Sequence, residues 1–100
     1  MFYSAKSNKD SMTIKYIGRM VYKHSDVFKK SYDEISQQNK STLVIDLSEI
    51  EFIDSTGIGM LLMLVKYCKE NKINFSFQGA SESIERMYRR VEFNSIIRSM

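Results

Sequence analysis

The stretch Phe52-Ile53-Asp54-Ser55-Thr56-Gly57-Ile58-Gly59-Met60-Leu61-Leu62 constrains the fold of this chain more than any other. An apolar segment ends in a polar knot at Asp54, Ser55 and Thr56, then re-emerges as a strongly apolar run that continues to Val65. That order predicts a helix over 56–70, entered from an extended segment through a short polar junction. Helix N-termini carry unpaired amides and a partial positive charge, so a phosphate attached or docked there is stabilised. The same residues also have a purely structural use. Asp54 or Ser55 serves as N-cap, and the glycines let the helix pack closely.

The segments on either side predict how the knot is held. Leu43-Val44-Ile45-Asp46-Leu47 is a near-continuous apolar run, the pattern of a strand buried on both faces of a parallel sheet, and Ser48-Glu49-Ile50-Glu51 bridges it to the knot. The helix after the knot is apolar almost all round. Ile58, Leu61, Leu62, Val65 and Cys68 define its core stripe, while Met60, Met63, Leu64 and Tyr67 widen it. Core packing is the default for the stripe. Met60 and Met63 are left for an interaction surface, because flexible thioethers suit adaptable contacts.

Upstream, Met1 to Tyr3 begins a short edge strand and Ser7 to Asp10 forms a polar turn. Met12, Ile14 and Tyr16 share one face at period two and predict a half-buried strand, after which Gly18 offers a turn or a bulge. Ser25 is placed to cap an amphipathic helix carrying Phe28, Ser31, Tyr32 and Ile35, and 37–41 is a loop. Downstream, Asn71-Lys72 turns into a strand over 73–78 with Ile73, Phe75 and Phe77 inward, ended by Gly79. Ser81 caps a last helix through Ile84, Met87, Tyr88 and Val91, whose outer side carries the i,i+4 pairs Glu82–Arg86 and Glu85–Arg89. Residues 92–97 close the chain as a short turn or helix packing by Phe93 and Ile96 or Ile97. Strands alternating with helices in this order imply one α/β domain over 1–100, with a small mixed sheet and right-handed crossovers.

Composition narrows the function classes. Fifteen basic against twelve acidic residues give a net charge of +3, too small and too dispersed to argue for nucleic acid. Cys68 is alone and sits in an apolar pattern, so it reads as a buried thiol. One His and one Cys far apart do not make a metal cluster, and no cofactor is expected. His24 reads as solvent-facing. The first ten residues lack the apolar segment of a signal peptide, and the run 57–65 is too short for a bilayer, so the expectation is a cytoplasmic protein without membrane insertion. The Gly-x-Ser-x-Gly elbow and the phosphate-binding Gly-x4-Gly-Lys-Ser/Thr loop are both missing, which argues against an enzyme.

The run Asp54 to Gly59, with 43–47 ahead and 60–65 behind, resembles the signature of STAS domains, the family of bacterial anti-sigma factor antagonists. The resemblance extends from about Thr13 to Arg98. It implies a STAS-like α/β fold with four to five strands and three to four helices. It also implies that Ser55 is the phosphoacceptor, with Thr56 the alternative hydroxyl. The partner-binding set carried over is Asp54, Ser55, Thr56, Gly57, Ile58 and Met60. The partners implied are an anti-sigma factor or switch protein kinase, with a serine phosphatase or a response regulator having kinase and phosphatase activity to reset the switch. A second implied role is a constitutive STAS subunit or adaptor, for example of a lipid-transport ATPase. One departure stands out. Many members carry Gly-Glu-Leu-Asp after the second strand, where this chain reads Gly18-Arg19-Met20-Val21. That start, with 24–28, resembles the subgroup controlled by such a response regulator.

Overall fold

In the computed structural model, the backbone is described for residues 1–99 and the side chains for residues 1–91. The elements are β1 (Phe2–Ser7), β2 (Ser11–Met20), a 3-10 turn (Tyr22–His24), α1 (Ser25–Gln38), β3 (Thr42–Ile53), α2 (Ser55–Glu70), β4 (Asn74–Gln78) and α3 (Glu82–Ser99). They form a four-stranded mixed sheet in the order β1-β2-β3-β4, with β1 antiparallel to β2 and the other neighbours parallel. The α/β architecture is the one expected from the sequence.

One face of the sheet holds the core. Met12, Ile14, Tyr16 and Met20 of β2 join Leu43, Ile45, Leu47 and Ile53 of β3 beneath Phe28 and Ile35 of α1, and Ile58, Leu61, Leu64 and Cys68 of α2. Residues between them in β2 and β3, such as Thr13, Lys15, Val44 and Asp46, stay half-exposed. The expectation that β3 is buried on both faces is therefore corrected: helices cover a single side. On the open side Lys15 pairs with Glu49, which raises the Lys15 pKa, and the Ser48 hydrogen bonds to Asp46 hold its carboxyl below the usual range.

The bridge at 48–51 is also corrected. It is strand, and β3 runs unbroken for 12 residues to Ile53. Its alternation is hidden by two register shifts. Lys15 pairs with Asp46 but Ile17 with Glu49, and Gly18 pairs with Ile50 but Arg19 with Phe52, so each shift places an extra residue in β3. Each extra residue flips which positions face inward. Gly18, at φ +101°, lies inside the bulged region rather than ending the strand, and β2 continues to Met20.

At the helix ends, Ser81 caps α3, its hydroxyl accepting from the Ile84 amide at 3.3 Å. Ser25 is instead the first residue of α1, with His24 in the cap position and a 3-10 turn ahead of it. Asn39 closes α1 in the left-handed region. The pairs Glu82–Arg86 and Glu85–Arg89 form at 4.0 and 3.8 Å on an exposed face. Residues 92–97 continue α3 as helix; the expected packing of Phe93 and Ile96 or Ile97 lies outside the described side chains.

Within the core the Tyr16 hydroxyl donates to Ser31 Oγ at 2.6 Å, and Ser31 donates to the Phe28 carbonyl at 2.6 Å. This chain explains how a serine is fully buried on α1 without an orphaned polar atom. Burial pushes the Tyr16 hydroxyl well above its usual range, with the Ser31 bond pulling part of the way back.

Candidate functional site

Because β2 and β3 are parallel, their carboxyl ends, the 3-10 turn before α1 and the start of α2 lie along one edge of the domain. Such edges gather sites in α/β folds. The β3 end is fixed by Met20 pairing with Ile53, and by the Asp54 amide donating to the Met20 carbonyl at 3.4 Å. The α2 start follows at once.

Asp54 is the N-cap. Its backbone is extended, its Oδ1 accepts from the Gly57 amide at 2.7 Å, and its carbonyl accepts from the Ile58 amide at 3.0 Å. The cap therefore belongs to Asp54, which leaves Ser55 free of that duty. Ser55 and Thr56 are exposed, and among the described residues neither hydroxyl makes a hydrogen bond. The first turn thus presents two unengaged hydroxyls at the positive end of a 16-residue helix.

The other residues of the carried-over partner set point elsewhere. Gly57 and Ile58 are buried, Ile58 at 0% exposure, and Met60 is 5% exposed. These side chains pack into the core, Met60 keeping an edge on the groove between α1 and α2, while Asp54 is half-buried and Ser55 and Thr56 are exposed. The two glycines also divide. A Cβ at Gly57 would collide with the Met20 carbonyl oxygen and the Ile53 side chain, whereas at Gly59 it would meet nothing within 4 Å. Close packing therefore explains only Gly57.

The exposed apolar groups beside the hydroxyls are Tyr22 at 74%, Met63 at 58% and Phe52 at 46%. Tyr22, Thr56, Gly59, Met60 and Met63 line a groove of about 630 Å³ between α1 and α2, floored by Phe28 and Tyr32. On the other side of the α2 start, Phe52 lines a smaller groove of about 300 Å³ with Ile50, Ile53, Ile84 and Met87. Sequence pattern alone missed Tyr22 and Phe52. The signal for Phe52 was present in its position next to Ile53, whose inward orientation sends Phe52 outward.

His24 is half-buried rather than solvent-facing, with Nδ1 at 3.0 Å from the Arg19 carbonyl. Cys68 is buried within α2, and burial pushes its thiol pKa up. Among the described residues, no group of three His, Cys, Asp or Glu side chains is placed to hold a metal ion, and no helix is long and apolar enough to cross a membrane.

A mixed sheet with helices on one face, and a central helix that starts in two exposed hydroxyls behind an aspartate cap, defines a small α/β domain. The chain belongs to the STAS domain family, whose model matches residues 3–100. Its fold is similar to that of an anti-sigma factor antagonist from Mycobacterium paratuberculosis, with a TM-score of 0.78 and 15% identity over 94% of this chain and 80% of that one. It is similar to the anti-sigma factor antagonist SpoIIAA in its unphosphorylated form, with a TM-score of 0.70 and 14% identity over 98% and 99% of the two chains. The phosphorylated form of SpoIIAA, the Bacillus cell fate determinant, gives a TM-score of 0.72 and 13% identity over the same shares. The chain also matches part of Mglu, with a TM-score of 0.69 and 11% identity over 79% of this chain but only 20% of that one. At such identities these likenesses are of fold.

Proposed function

We propose that this STAS domain is an anti-sigma factor antagonist that acts as a phosphorylation-controlled binding switch, with Ser55 as the phosphoacceptor. The observation that carries the reading is the free, exposed Ser55 hydroxyl at the start of α2, with the cap supplied by its neighbour Asp54. The unphosphorylated form binds an anti-sigma factor or switch protein kinase in the cytoplasm. A kinase inactivates it at Ser55, and a serine phosphatase or a response regulator with kinase and phosphatase activity resets it. Likeness to SpoIIAA, with structures in both unphosphorylated and phosphorylated forms, supports this choice among STAS roles.

The energetics fit a surface switch. Phosphate adds about −1.5 to −2 charges and three acceptor oxygens. One like-charge contact at about 4 Å and an effective dielectric of ~20 costs on the order of 4 kcal/mol before salt and relaxation. A third of that shifts affinity about tenfold, so no refolding of the domain is required.

A second reading, a constitutive subunit or adaptor of a larger complex, is favoured by one feature: the apolar groove bordered by Tyr22 and Met63 does not depend on the state of Ser55. Two experiments decide. Intact mass and peptide fragmentation of native protein, against Ser55→Ala, locate the phosphate; its absence under contrasting growth conditions overturns the switch. Partner capture with Ser55→Asp then falls about tenfold or more for a switch and stays unchanged for a constitutive module.

A further inference from the structure

Arg19 is an exposed cation at the next-to-last position of β2, and its guanidinium carbon lies 4.6 Å from the centroid of the Phe52 ring. The two residues are register partners, one step before the Met20–Ile53 pair whose side chains enter the core. Arg19 and Phe52 therefore stand together on the outward side of the strand ends. The charged and titratable groups of this edge include Arg19, Tyr22, Lys23, His24, Asp26, Glu51 and Asp54, with the Met1 ammonium 3.3 Å from His24 Nδ1. Among the described residues none of the carboxylates is within salt-bridge distance of Arg19, which rests on the aromatic ring alone.

The connection to Ser55 is short. The Asp54 amide is bonded to the Met20 carbonyl, and Ser55 follows directly, so backbone dimensions put the Arg19 and Ser55 Cα atoms about 10 Å apart. An extended arginine carries its guanidinium about 6–7 Å from Cα, and phosphoserine oxygens stand about 4 Å out, so their combined reach spans the gap once both side chains turn over the strand ends toward each other. An exposed cation–π contact is weak, whereas a guanidinium forks onto phosphate through two parallel charge-assisted hydrogen bonds. Asp54 opposes the phosphate from the cap, and Arg19, on the adjoining strand end, is a cation that offsets it.

We infer that Arg19 reads the modification at Ser55: it leaves the Phe52 ring and clamps the Ser55 phosphate. This rests on the proposed phosphorylation of Ser55 and adds what the phosphate does next. The docking edge loses a cation and gains an uncovered phenyl ring in one step, so the two forms differ in more than added negative charge.

The test uses full-length protein with phosphoserine installed at position 55 during translation, independent of any kinase. Two signals are read: the phosphate's second ionisation by 31P NMR, and the Arg19 side-chain protons, which the Phe52 ring shifts upfield in the unmodified protein. The expected result is loss of that upfield shift on phosphorylation, and a phosphate pKa that rises by about half a unit or more in Arg19→Gln but stays low in Arg19→Lys. A merely structural Arg19 would move neither signal in this pattern. Equal phosphate pKa values in wild type and Arg19→Gln, or Arg19 protons that remain upfield in the phosphoprotein, overturn the inference. Because the phosphate is installed, this result stands apart from whether native protein carries it, which the mass measurement above decides.

Discussion

The carbonyl oxygen of Met20 fills the space that a Cβ on Gly57 would need, so the end of β2 and the first turn of α2 meet backbone to backbone. Glycine is required there for proximity, since its φ lies outside the left-handed region. Gly57→Ala is expected to lower stability by about 3 kcal/mol or more, because the clash is with main chain that cannot step aside. Gly59→Ala, facing open space, should instead stabilise α2 by up to about 1 kcal/mol. Urea midpoints for the two variants check both signs at once.

Removing the cap tests the division of labour between Asp54 and Ser55. Asp54→Ala should cost about 1 kcal/mol through loss of the bond to the Gly57 amide, and Asp54→Asn should recover most of it. Ser55→Ala should change denaturation by under about 0.5 kcal/mol, since its hydroxyl bonds nothing among the described residues. A large cost for Ser55→Ala would show that the serine is part of the cap.

Met60 and Met63 make a second paired test. Met60→Ala removes a buried side chain and should cost about 2–5 kcal/mol, whereas Met63→Ala should leave the denaturation midpoint nearly unchanged. In partner capture, Met63→Ala and Tyr22→Ala should weaken binding while the fold persists. Unchanged capture by both variants would place the docking surface away from the α1–α2 groove.

The buried Tyr16–Ser31–Phe28 chain predicts an alkaline limit to stability. Ser31→Ala should cost about 1–3 kcal/mol by orphaning the Tyr16 hydroxyl, and Tyr16→Phe less, because Ser31 keeps its bond to the Phe28 carbonyl. In the unfolded chain Tyr16 ionises near pH 10, while burial raises its folded pKa. Its contribution is therefore complete below about pH 10 and is lost as pH rises, at no more than about 1.4 kcal/mol per pH unit. Wild type minus Tyr16→Phe stability, measured from pH 9 to 11, should show that fall, the contribution of Cys68 being common to both proteins.

The sequence made the strand-helix order, the inward faces of β2 and the position of the polar knot legible, because period-two and period-3.6 patterns were clean there. It hid the second half of β3. Two extra residues between Asp46 and Phe52 reverse the inward parity twice, and a bulge has no mark in hydrophobic pattern. It also left Met60 and Met63 undivided. On a helix apolar nearly all round, periodicity fixes the spacing of faces but not which face meets the sheet, and the Gly57–Met20 contact sets that rotation: Met60 turns inward, Leu62 becomes half-buried and Met63 turns out. Ser55 was legible as a candidate, but its freedom from capping required knowing that Asp54 holds the Gly57 amide.

The unbroken passage from β3 through Asp54 into α2 leaves no loop at the site whose slack a modification could take up. Forms with and without a phosphate at Ser55 would then share one backbone and differ only in charge and side-chain placement at this edge. Methods that report shape, such as scattering or hydrodynamic size, should find them the same, and discrimination falls wholly to the molecule that reads the edge. Memory of a signal would accordingly last as long as the phosphate ester does, set by the enzyme that removes it rather than by any relaxation of the domain itself.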